Sequence, residues 1–222
     1  MNSAKRMVFI RMALAVIIFL CVGYMAWKLL PPFDFKVIMA FFALYLGWSL
    51  VETAIYQPPD SAAIDDDDRR SYLYMQLTSL ILLFWALLDF VTFHFTRWFR
   101  LEPAVILVGF VLFIISLVVR YRTIKSLGKY YNPRVAVYED HQVISTGAYQ
   151  RIRHPFYLSA FLSAVAMAMI FNSWGALLIA VLAVLPALVY RIRLEEEFLC
   201  NHFDQKYSDY MAKTKRLIPG IW

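Results

Sequence analysis

The chain has 222 residues, of which 61% are hydrophobic and 17% aromatic, and it carries a formal net charge of +6. Soluble domains are about 45–50% apolar, and the excess here is gathered into runs close to the roughly 20 residues that a bilayer-crossing helix needs. A soluble globular domain is therefore excluded, and so is a nucleic-acid module, because the basic residues cluster beside apolar segments and form no soluble basic face.

In chain order, the first apolar run covers about 8–27. It is longer than the 7–15-residue core of a signal peptide and shows no small-residue cleavage site before Lys28, so it reads as a retained span. Further spans are predicted at 37–56, 72–93 and 103–119. A closely spaced pair follows at 156–171 and 174–190, separated by Asn172-Ser173, which predicts a tight helical hairpin with both open ends on one side. Beyond it, Leu194, Phe198, Leu199, Phe203, Tyr207 and Tyr210 recur at helical spacing among charged residues, as in an amphipathic helix lying on the membrane face or capping the hairpin. The expected fold is all-α: a polytopic transmembrane bundle of about five or six membrane helices, with a C-terminal helical hairpin. Residues 1–119 form its N-terminal helices, and residues 120–222 the connection, hairpin and amphipathic tail. Cys21 and Cys200 are too few and too far apart for a disulfide framework.

Lysine and arginine set the orientation. With the N-terminus inside, eighteen of them fall on inner segments and four on outer loops (Lys28, Lys36, Arg97 and Arg100), which places both termini in the cytoplasm.

The stretch Gly147-Ala-Tyr-Gln-Arg-Ile-Arg-His-Pro-Phe-Tyr157 sets cationic side chains at the mouth of the hairpin. Pro155 suits a first helical turn, His154 falls near the N-cap, and the exposed N–H groups of such an end attract anions. His154 and Tyr157 share a helix face. Out along one helix and back along the next, the chain returns Arg191-Ile-Arg-Leu-Glu195-Glu196-Glu197 to the same edge, so carboxylates meet cations there. Read singly, such residues are also what anchors any cytoplasmic helix end.

The ordered motifs Gly147-x-Tyr149-x-x-x-Arg153-His154-Pro155-x-Tyr157, Arg191-Ile-x-x-Glu195-Glu196, Phe203-x-x-x-Tyr207-x-x-Tyr210 and Arg216-Leu-Ile-Pro resemble the isoprenylcysteine carboxyl methyltransferases and their phospholipid-methyltransferase relatives over roughly 120–222. Two departures stand out: the family often has Gly-Pro-Tyr-Arg where this chain has Gly147-Ala148-Tyr149-Gln150, and Phe-Gly where it has Phe203-Asp204, the latter expected to affect only a turn. The resemblance implies S-adenosylmethionine in a cytoplasmic cofactor pocket lined by His141, Gly147, Tyr149, His154, Tyr157 and Glu196, with Arg153 and Glu195 nearest the reaction, which makes 120–222 the catalytic, cofactor-binding region and 1–119 the expected substrate side. It implies an amphiphilic or lipid-like acceptor arriving from the bilayer, a carboxylate being favoured over a phospholipid amine or a small molecule methylated on nitrogen or sulfur. Arg153 would hold that carboxylate in a bidentate fork. An NADPH-dependent sterol-type reductase is the rival enzyme, disfavoured by Pro155 after His154 and by the Glu195-Glu196 spacing; a non-catalytic scaffold leaves the ordered motifs unexplained.

Other conspicuous residues read as structural. Asp65 to Asp68 are expected to form a solvated loop, since consecutive carboxylates point apart. Glu52 and Asp89 are expected to snorkel to the interface, and His94 and His202 show no ligand spacing, so no metal and no nucleic acid is expected as a partner.

Overall fold

The computed structural model describes residues 17, 19–57, 65–66, 68–98, 102–132, 135–138, 140–218, 220 and 222. Lys5, Arg6, Arg11 and Arg100, the start of the first predicted span and Asp67 lie outside them, as do the side chains of Asp65 and Asp66. In order the elements are α1 (Phe19–Leu29), α2 (Pro32–Ile55), the two-residue strand β1 (Asp65–Asp66), α3 (Ser71–Leu88), α4 (Glu102–Leu127), strand β2 (Ala136–Val137), α5 (Pro155–Ile170), α6 (Trp174–Ile179) and α7 (Leu185–Lys213). A π-helical turn extends α3 to Phe93, and another, Ala180–Val184, joins α6 to α7 as one continuous rod.

Among the described residues, four helices are long and apolar enough to cross a membrane: Pro32–Ile55, Ser71–Phe93, Pro103–Tyr130 and Trp174–Lys213. The protein is an integral membrane protein, and side chains such as Phe84, Leu107 and Leu182 stand exposed on the bundle, where hydrocarbon is their natural solvent. Helix α5 has 16 residues, about 24 Å of rise against a hydrocarbon core of about 30 Å.

Small residues decide the packing. Gly109 of α4 lies so close to α5 that an added Cβ would stand 2.7 Å from the Ile170 nitrogen, while Ser116 and Ser163 hydrogen-bond across the same seam at 2.8 Å. Ala164, Ala166 and Ala168 are buried on α5, so backbones approach where larger side chains would hold them apart. The predicted hairpin forms as expected: Phe171 to Ser173 turn the chain, Asn172 adopts φ +49°, and Ser173 caps α6 by accepting from the Ala176 N–H at 3.1 Å.

Three expectations change here. Asp89 does not snorkel. It is buried, and it accepts from the Phe95 N–H at 2.8 Å, from the Thr96 N–H and from the Thr96 hydroxyl, tying down the turn after α3. Glu52 stays within the bundle, gripped by Arg120 of α4. The helix expected to end near 190 continues to Lys213, bending at Asp204, where φ +45° and ψ −125° break the helical path. That bend turns Tyr207 and Tyr210 toward Tyr149, and the chain after it pairs with the start of α5: the Arg153 N–H donates to the Lys215 carbonyl at 2.7 Å and the His154 N–H to that of Arg216 at 3.0 Å. The tail thus caps the hairpin mouth, and Phe203-Asp204 is more than an incidental turn.

Candidate active site

Three separated segments meet at this mouth. The 3₁₀ turn Gly147–Gln150 delivers Tyr149, the entry to α5 delivers Arg153, His154, Phe156 and Tyr157, and α7 delivers Glu195, Leu199, Phe203, Tyr207 and Tyr210. Together with Tyr130, Tyr131 and the 135–144 connection they enclose a cavity of about 910 Å³, counted to its open mouth. A second, wider depression of about 1060 Å³ shares His141, Gln142, Val143, Phe203 and Tyr210 with it and adds Lys206, Asp209 and Lys213, so the way out is polar.

Of the eight residues expected at the site, His141, Tyr149, Arg153, His154, Tyr157 and Glu195 line the cavity, while Gly147 and Glu196 do not. Gly147 instead shapes the backbone behind it, since φ is +61° and a Cβ there would collide with Ser126 Oγ. Ser126 Oγ in turn accepts from the Ala148 N–H at 3.2 Å, which fixes the turn that carries Tyr149. Glu196 faces two arginines and a histidine. Its Oε1 accepts from Arg153 Nε at 2.9 Å and meets His154 Nε2 at 3.2 Å, and its Oε2 accepts from Arg216 Nε at 2.9 Å. Such charge-assisted bonds hold three side chains in one geometry.

Arg153 is therefore less free than a bidentate fork requires. Its Nε is on Glu196 and its Nη1 donates to the carbonyls of Met211 (3.0 Å) and Thr214, which leaves Nη2 without a partner among the described residues. One N–H edge, rather than two, is available to a ligand.

Glu195, the neighbour of Glu196, faces the cavity and is organised by a chain of hydrogen bonds. Tyr157 donates its hydroxyl to Glu195, and Arg191 Nε donates to that same hydroxyl oxygen at 2.9 Å. Arg191 is only 2% exposed and is held from behind by Asp68 at 2.7 Å and by Ser71 Oγ at 2.6 Å. Asp68, expected in a solvated loop, is thus a buried arginine's counter-ion, while the backbone of Asp65 and Asp66 pairs with Val137 and Ala136 beside the cavity wall. Sequence reading missed this link, because nothing local joins Asp68 to a residue 123 positions away.

The aromatic wall has a defined protonation state. Burial pushes the Tyr149 phenol well above its ordinary range, and the negative charge of Glu195 adds to the effect, so it stays a neutral donor. His141 stacks on Tyr130 with centroids 4.6 Å apart, and burial lowers its pKa against the opposing pull of Asp140 and Glu195. Its Nδ1 is buried with no hydrogen-bond partner among the described residues, an unusual state for a polar atom.

Comparison with known proteins bears chiefly on the C-terminal half. Residues 107–201 match the isoprenylcysteine carboxyl methyltransferase (ICMT) family. The resemblance read from the motifs is borne out, although the match begins earlier than expected, inside α4, and stops before the Phe203–Tyr210 tail. The chain is 30% identical over 83 residues to the protein-S-isoprenylcysteine O-methyltransferase of Schizosaccharomyces pombe, a stretch covering 37% of this chain and 35% of that protein. Identity to the Saccharomyces cerevisiae protein of the same name is 33% over 82 residues, or 37% of this chain and 34% of that one. These alignments span about a third of the relatives' length. The solved structure of the eukaryotic intramembrane Ras methyltransferase ICMT superposes with a TM-score of 0.58 at 19% identity, over 100% of this chain and 88% of that one. The ICMT fold therefore extends through the N-terminal helices, where no sequence motif announced it.

Proposed function

We propose that this protein is an S-adenosylmethionine-dependent methyltransferase that O-methylates the carboxylate of an isoprenylcysteine-like acceptor at the cytoplasmic membrane boundary. The observation that carries the reading is the convergence of Tyr149, Arg153, His154, Tyr157 and Glu195 on one cavity, from segments that match the ICMT family. The excess of lysine and arginine on the segments flanking the cavity supports a cytoplasmic mouth and cytoplasmic termini.

The residues fit this methyl donor. The cavity is walled by tyrosine and phenylalanine faces that suit a cation and an adenine ring, and His141 Nδ1 is buried without a partner among the described residues. His141, Tyr149, His154 and Tyr157 would hold the donor, with Gly147 and Glu196 supporting them from behind. When bound, S-adenosylmethionine supplies a methyl group already activated on a sulfonium.

What remains for the protein is alignment. An acceptor carboxylate, with an ordinary pKa near 4, is ionised at neutral pH and needs no base. Arg153 Nη2 offers it a single charge-assisted hydrogen bond, while Nε and Nη1 keep the guanidinium fixed. Glu195, held by the Tyr157 hydroxyl, sets a carboxylate at the wall, where it favours binding of a cationic donor. Tyr207 and Tyr210 of the tail form one apolar wall of the cavity, packed with Tyr149, and shield the site on that side.

The test is calorimetry of S-adenosylhomocysteine binding to detergent-purified protein, with NADPH as a control, followed by turnover of a farnesylated cysteine. Saturable binding that weakens about tenfold in His141→Ala, with no NADPH binding, and a methyl product released as methanol by mild alkali, are expected. NADPH binding alone, or an alkali-stable methyl product, would replace the reading with a reductase or with N- or S-methylation.

A further inference from the structure

The wall of the cavity nearest α2 is held from outside the cavity. Glu52, near the C-terminal end of α2, accepts four hydrogen bonds: Arg120 Nη2 at 2.9 Å and the Tyr131 hydroxyl at 3.0 Å on Oε1, and Trp48 Nε1 at 2.7 Å and Arg120 Nε at 3.1 Å on Oε2. This is a bidentate arginine–carboxylate fork between two membrane-grade helices, and its side chains are each 25% exposed. Charge inside such helices is costly and is retained where it serves a site. Two of the three side chains that touch the fork also line the cavity. Tyr131 does so through its hydroxyl, and Phe156 because the Arg120 guanidinium lies 4.5 Å from the centre of its ring. Tyr131 and Phe156 are themselves packed together, with centroids 5.6 Å apart.

We infer that Glu52 and Arg120 are positioning residues of the active site: the fork fixes the Tyr131–Phe156 wall, and through that wall the affinity of the cavity for its ligand. The inference rests on the methyltransferase reading above and deepens it. It assigns a role in ligand binding to Glu52, which lies in the N-terminal half outside the family match, and it explains why an acid is kept within α2. Helix α2 contributes no described residue to the cavity lining, so its influence there runs through Glu52. The fork itself contacts no ligand; it acts through two aromatic rings.

A closely similar ion pair supplies the control. Arg97 and Asp34 bond at 2.5 Å, with Arg97 over the Phe90 ring, far along the bundle from the cavity and touching none of its lining. If partly buried ion pairs matter here only by holding the bundle together, Asp34→Asn and Glu52→Gln should act alike on ligand affinity.

The experiment measures the dissociation constant of S-adenosylhomocysteine and the melting temperature for the full chain and for Glu52→Gln, Tyr131→Phe, the double variant of those two, and Asp34→Asn. Glu52→Gln is expected to weaken binding by about tenfold and Tyr131→Phe by a smaller factor, with the double variant no worse than Glu52→Gln alone, because both act through one wall. Asp34→Asn is expected to lower the melting temperature and leave affinity within about twofold. Unchanged affinity in Glu52→Gln would overturn the inference and leave the methyltransferase reading standing. Equal losses in Glu52→Gln and Asp34→Asn would overturn it as well, by reducing the fork to a structural clamp. Absence of binding to the parent protein would remove the methyltransferase reading, and the inference with it.

Discussion

The two ends of the helix bundle bury carboxylates in opposite ways. At the far end, Asp89 is saturated by the Phe95 and Thr96 N–H groups and the Thr96 hydroxyl, which also meets Ser173 at 2.7 Å, and the whole cluster closes a turn. At the cavity end, Glu196 is equally saturated, but its partners Arg153 and His154 have a second face on open space, and its neighbour Glu195 looks into that space directly. A buried, fully bonded acid is therefore no sign of a site by itself. What marks one is that the groups bonded to it open onto a cavity, as Arg153 and His154 do beside Glu196.

This contrast can be broken by substitution. The largest effect is expected from Glu196→Ala, which leaves the Arg153, His154 and Arg216 cluster without its anion. Stability should fall by about 3–5 kcal/mol and S-adenosylhomocysteine binding should disappear, as read by thermal unfolding and calorimetry. Asp89→Ala should cost about 2–3 kcal/mol by stranding the Phe95 and Thr96 donors. Ligand affinity in the protein that remains folded should not move, and a clear loss of affinity would abolish the distinction between the two ends. The smallest effect is a gain. Asp204 sits at φ +45° and ψ −125°, backbone that suits glycine, so Asp204→Gly should stabilise the protein by about 1 kcal/mol and sharpen the melting transition of the tail. A loss of stability would mean that the Asp204 carboxylate does something at the bend beyond occupying it.

Hydropathy and spacing alone placed the apolar helices, the Asn172-Ser173 hairpin turn, Pro155 at the first turn of α5 and the return of the glutamates to Arg153. These features depend on neighbours in the chain or on helix length. A 16-residue helix, a three-residue turn and a second helix must come back to where they began. The motif resemblance added the identity of the cavity residues, and six of the eight it implied do line the cavity.

What only the tertiary structure decided is which way each charged side chain faces and with whom it pairs. Glu195 and Glu196 are consecutive on α7, so they diverge by about 100° around the helix, and sequence gives no reason to prefer one for the cavity. The rotation of α7 is set by the burial of Leu188, Ile192 and Leu194 and by the Asp204 bend; it turns Glu195 inward and Glu196 toward Arg153, His154 and Arg216. Glu52 with Arg120, and Asp68 with Arg191, are separated by 68 and 123 positions, and each acid taken alone looks like an interface or loop residue. Their meaning comes from a partner on another helix, and helix-to-helix register is fixed by close contacts such as Gly109 against Ile170, a property of packed surfaces that no local pattern of residues records.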